Sequence, residues 1–140
     1  MTLPTGPKPA RDYYRVALNR LEDSEVLFEQ NYTTAAVYLA GYAIECITKA
    51  LVLTRAPRNR QQDIFNSFRG WQGHDIAWLH RQYNGLTGQL APSEVRKAFV
   101  LAHTWNTDLR YKPGVIPLHD AEDFLSAAKV IVAWADRSML

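Results

Sequence analysis

Apolar residues recur with helical spacing along nearly the whole chain. From about Arg11 to Gln30, Tyr14, Ala17, Leu18, Leu21 and Phe28 mark one face, with Glu22, Asp23 and Glu29 opposite. "NYTT" breaks this helix, and Thr33 or Thr34 is suited to cap the next by accepting from its free N–H groups. The second helix runs to about Arg55, stopping before Pro57. The stretch 57–73 reads as a polar loop with one helical turn around Asp63–Phe68. "HDIAWLHRQYNGL" then predicts a shorter helix, with Asp75 at its start. "PSEVRKAFVLAHTWNTDLRY" predicts a long one capped by Ser93. After the break "KPGVIP", the last helix carries the core stripe Phe124, Ala127, Ala128, Ile131 and Ala135. No sustained two-residue alternation argues for strands. The expected architecture is all-α: an up-and-down antiparallel bundle of four long helices plus one short one. Residues 1–10, with three prolines and a glycine, read as a flexible lead-in, and 11–140 as a single domain.

Composition narrows the class. In 140 residues, 47% are hydrophobic and 21% charged, which fits one globular domain with its own core. A net charge of +2 is too small to imply nucleic-acid binding by itself. The charge is uneven, with three arginines in "RAPRNR" at 55–60 and acids in "HDAED" at 119–123. Cys46 is the lone cysteine, so no intrachain disulfide can form. Glu45 and Lys49 interrupt the longest apolar run, and 1–10 lacks the apolar core of a signal peptide. A cytoplasmic protein without a membrane association is the expectation.

Three sets of residues carry candidate chemistry. On a helical wheel, Tyr38, Tyr42, Glu45 and Lys49 gather within about 60°, opposite Leu39, Ala43, Cys46, Ile47, Ala50 and Leu53. Such a stripe is either a partly exposed i,i+4 pair or a polar patch facing another helix, a partner or a ligand. In the helix predicted from Ser93, Arg96, His103 and Arg110 are spaced by seven and line one side. Two arginines and a histidine there can hold an anion such as phosphate, or form a solvent face. His74 precedes Asp75 in a loop. A metal site is not expected: His74 and His80 are six apart, and neither an HExxH motif nor a cysteine cluster occurs.

"YYRVALNRLEDSEVLFEQNYTTAAVYLAGYAIECITKALVL", followed by "GHDIAWL", resembles the HEPN domain family over roughly Asp12 to Trp134. "AAVYLAGYAIECITKAL" carries the likeness best, and Trp105, Arg110 and Tyr111 match one bacterial branch. The resemblance implies a bundle of four long helices, often dimeric, and a link to nucleotides or RNA without a cofactor. Many members pair with a minimal nucleotidyltransferase in toxin–antitoxin systems. Others are metal-independent endoribonucleases using an Arg and a His separated by four to six residues. In that chemistry His transfers the proton and Arg holds the scissile phosphate. Two pairs have this spacing: Arg96 with His103, and Arg69 with His74. The second lies in a predicted loop, so Arg96 and His103 are the expected catalytic pair. Lys97 follows Arg96 where the family's motif has a small polar residue. The expected ligand-binding residues are Glu45, Lys49, Arg110, Tyr111 and His74. Three functions follow as expectations: a homodimeric nucleotide- or RNA-binding module paired with a nucleotidyltransferase, an active ribonuclease, or an interaction bundle without activity.

Overall fold

A computed structural model of the chain describes residues 6–139, apart from the side chain of Arg110. Six α-helices follow in order: α1 (Lys8–Glu29), α2 (Thr33–Arg55), α3 (Gln61–Ser67), α4 (Ile76–Thr87), α5 (Ser93–Ala102) and α6 (Leu118–Ser138). Short 3-10 turns occupy Arg58–Arg60, Trp71–His74 and Thr107–Tyr111, and no strand occurs among the described residues. The all-α reading holds. Lys8, Pro9 and Ala10, expected in the lead-in, form the first turn of α1, with Pro9 near its start where a missing N–H costs nothing.

The bundle is organised around α2, which packs against α1, α4 and α6. Its surface is thin: Ala36, Ala40, Ala43 and Ala50 are fully buried, and small residues let neighbouring helices approach closely. Every residue from Ala43 to Leu53 is buried. By length and composition α2 could span a bilayer, but the other helices of the chain cover most of it. The stripe predicted on α6 is buried throughout, from Phe124 to Ala135.

Two expected caps are replaced. Tyr32 occupies the N-cap of α2, with no side-chain cap. The Thr33 hydroxyl instead donates to the Ile116 carbonyl at 2.6 Å, and the Ile116 N–H donates to Thr34 Oγ1 at 3.1 Å. These hydroxyls satisfy the backbone groups of partly buried Ile116 in the segment before α6. Ser93 is the first helical residue of α5 rather than its cap, because Pro92 holds that place. Asp75 does cap α4, accepting from the N–H groups of Ala77 and Trp78.

The largest correction concerns the helix expected to run from Ser93 to Tyr111. It ends at Ala102, with His103 as C-cap, so three long helices stand where four were predicted. Beyond it, Asn106 is extended and its side chain accepts from the Asp108 N–H, opening a 3-10 turn. The break lets Trp105 turn inward to 6% exposure. Burying an indole of roughly 200 Å² is worth about 5 kcal/mol, against about 0.5 kcal/mol per residue of helix propensity. Arg96, His103 and Arg110 therefore do not share one helical face.

Trp105 lies directly on the α2 backbone. A Cβ at Gly41 would meet its Nε1 at 2.0 Å and Cε2 at 2.1 Å, so only glycine fits beneath the indole. Gly41→Ala is expected to lower stability by about 1–3 kcal/mol through overpacking, despite alanine's better helix propensity. Urea unfolding at neutral pH checks this; a midpoint at or above that of the parent chain would contradict the packing.

Candidate functional site

The stripe of tyrosines, acid and base on α2 faces neither water nor a featureless core. Glu45 and Lys49, one turn apart, are 3% and 4% exposed. Lys49 Nζ donates to Glu45 Oε2 at 2.9 Å. It also stands 5.3 Å from the Tyr13 ring centroid and 5.5 Å from that of Phe68. A desolvated cation between two aromatic faces gains about 2 kcal/mol from the ring quadrupoles. A partly exposed i,i+4 pair, one of the two expected alternatives, is thereby excluded.

The second carboxylate oxygen of Glu45 reaches out of the core. Oε1 lies 3.0 Å from Nδ1 of His74, whose side chain is 49% exposed. A carboxylate can only accept, so Nδ1 carries the proton and Nε2 is left for another partner. The turn Trp71–His74 delivers this imidazole. Gly73 makes it possible, because a Cβ there would fall 1.9 Å from the Phe68 carbonyl oxygen. Tyr42 packs edge-on toward His74 at 6.5 Å and toward Trp105 at 5.2 Å. The Tyr38 hydroxyl donates to that of Tyr42 at 3.3 Å, and the buried Trp105 indole N–H finds no acceptor among the described residues. Tyr38 also lines a cavity of about 450 Å³ at the N-terminal end of α2, which Lys112 borders.

Three predicted site residues, Glu45, Lys49 and His74, thus meet in one hydrogen-bonded chain. Arg96 and His103 do not join it. Tyr111 is 74% exposed on the Thr107–Tyr111 turn, and the side chain of Arg110 lies outside the described residues. Arg96 is exposed on α5, about 10.5 Å of helix rise from His103, and no contact joins their side chains. His103 turns toward α4, where its ring is 5.7 Å from that of His80. His80 stacks on Phe99 at 3.9 Å. Burial, then the charge of His103, drives the His80 pKa down to about 4. Burial also lowers His103, with Arg81 adding to the effect and Asp75 opposing it. Cys46 is buried beside Glu45 and its thiol is pushed up to about 12, so it stays protonated and inert. Sequence reasoning named His74 but missed its link to Glu45, 29 residues away. No local spacing in the sequence points to that link.

Removing one half of a buried ion pair strands the other. Glu45→Leu should therefore lower stability by about 3–5 kcal/mol, and adding Lys49→Met should recover most of that. Chemical denaturation of the two variants checks it; a double variant no better than the single one would contradict the pairing. His80 gives a pH test. Its folded pKa lies below the unfolded value, so the unfolded chain binds more protons as the solution acidifies. Its contribution is complete above about pH 6.5 and is lost as pH falls toward 4. His80→Leu should flatten the dependence of the urea midpoint between these values, and an unchanged slope would contradict it.

A solved structure, TT1696 from Thermus thermophilus, has a similar fold with a TM-score of 0.66 and 21% sequence identity. The match covers 94% of this chain and 98% of that one. No curated protein matches the chain. The HEPN domain model matches residues 10–138, nearly every residue of the bundle, including α2 and the turn bearing His74. The chain belongs to the HEPN domain family.

Proposed function

We propose that this HEPN domain is a nucleotide- or RNA-binding module that contacts its ligand through His74. The observation that carries this reading is the chain from Lys49 through buried Glu45 to half-exposed His74. A buried carboxylate fixes the tautomer and direction of the imidazole, as an outer partner does for a working histidine. When protonated, Nε2 offers a charge-assisted hydrogen bond to a phosphate oxygen. The family likeness supports a cytoplasmic homodimer paired with a nucleotidyltransferase in a toxin–antitoxin system. Co-purification of such a partner, or its gene beside this one, is the expected observation.

A second reading is metal-independent RNA cleavage, and the same dyad favours it. A carboxylate-held imidazole with a free Nε2 is the arrangement a general base requires. In this chain that is His74, with Arg69 preceding it across four intervening residues, ahead of Arg96 and His103.

One experiment separates these readings. The purified chain is mixed with single-stranded RNA in the presence of EDTA, followed by binding and by gel. The binding module retains intact RNA, and His74→Ala weakens the complex about tenfold, the worth of one charge-assisted bond. The nuclease instead degrades RNA, with activity lost in His74→Ala and kept in His103→Ala. A His74→Ala chain that binds and cleaves like its parent sinks both.

A further inference from the structure

The arginine-rich segment 55–60 takes no part in the His74 site, yet it ends at a second cleft. This cleft, about 320 Å³, opens between α3 and α4, with Val52 of α2 among its lining residues. Arg60 and Arg81 both line it, together with Ser67, Trp78, Gln82 and Gly85. No carboxylate lines it. Neither guanidinium makes an ion pair or a side-chain hydrogen bond among the described residues, although Lys8, Arg20 and Lys49 each pair with an acid. Two arginines without an acid partner thus line one concave space. Their planar forks suit the oxygens of a phosphate.

Gly85 leaves the α4 backbone open on the cleft wall. A glycine near the end of α4 weakens that helix relative to alanine. Gly41 and Gly73 have an internal reason, since a Cβ at either would collide with Trp105 or with the Phe68 carbonyl. A Cβ at Gly85 would meet nothing within 4 Å. The chain's own packing therefore does not require this glycine. A ligand drawn against the α4 backbone would meet no side chain at this position.

We infer that the α3–α4 cleft seats a phosphate group between Arg60 and Arg81, with the Gln82 side-chain amide offering a further hydrogen bond. The phosphate is free or is carried by a nucleotide or a single strand. Trp78 on the wall gives a carried base a ring to lie against. The seat is separate from the His74 site. Phe68 stands between them, touching Lys49 on one side and Trp78 on the other.

The test measures three probes on the full chain: a short fluorescein-labelled single-stranded RNA, AMP and inorganic phosphate. Arg60 and Arg81 are exposed, so Arg60→Gln with Arg81→Gln leaves the fold intact. That double variant should weaken binding of at least one probe about tenfold or more. If RNA is the bound probe, its salt dependence should become shallower by about 1.4 in log–log slope, the share of two phosphates on a single strand. Gly85→Ala should weaken the same probe several-fold while the thermal midpoint holds or rises. Loss with AMP or phosphate alone identifies a free ligand; loss with RNA identifies a strand. His74→Ala should leave this arginine-dependent binding in place, so a failed His74 reading does not carry the cleft with it. Equal binding of all three probes by parent and double variant overturns the proposal, as does Gly85→Ala binding like its parent.

Discussion

The carboxylate of Glu45 is the interaction on which the rest depends. It sits at the centre of the most buried helix, where an ionised group without a partner would be prohibitive. One oxygen holds Lys49, whose ammonium is enclosed by the rings of Tyr13 and Phe68. The other holds His74, and with it the turn that enters α4. A single buried charge thereby ties α1, α2 and the segment before α4 into one arrangement. Hydrophobic contact fills the bundle; this charge specifies how three of its parts meet.

The fold was legible because helices announce themselves locally. The α6 stripe, the stop before Pro57 and the Asp75 cap depend on residues within a few turns of each other, and all three hold in the structure. Thr33 and Thr34 show where local reasoning fails. Their hydroxyls answer a backbone segment about 80 residues away, which no window on the sequence contains. Trp105 is the same failure at larger scale. Periodicity carried the helix through it, whereas the gain from seating its indole on Gly41 ends the helix at Ala102. The stripe of Arg96, His103 and Arg110 dissolved with that boundary.

The site was half legible for the same reason. Glu45 and Lys49 stand out as charges in an apolar run, and their spacing predicts their contact. Whether the pair met water or the core depended on α1 and the Phe68 loop, which the wheel of α2 does not contain. His74 was visible as a residue and invisible as a partner. Gly73 is what brings it near, and its need is set by a carbonyl five residues back that becomes close only after the chain folds.

The four tryptophans give the molecule a further property. Trp71 is 76% exposed, while Trp134 packs among Tyr83 and Phe99. Trp78 borders the arginine cleft, and Trp105 rests on α2 within contact of Tyr42 and Tyr38. Each indole thus samples a different environment: solvent, cleft, aromatic wall and the α4–α5–α6 core. Intrinsic fluorescence of this chain therefore sums four indoles in four different surroundings. Phenylalanine replacements, taken one at a time, would assign each component of the emission to its region, and Trp105 supplies a native optical reporter beside the Glu45–His74 dyad.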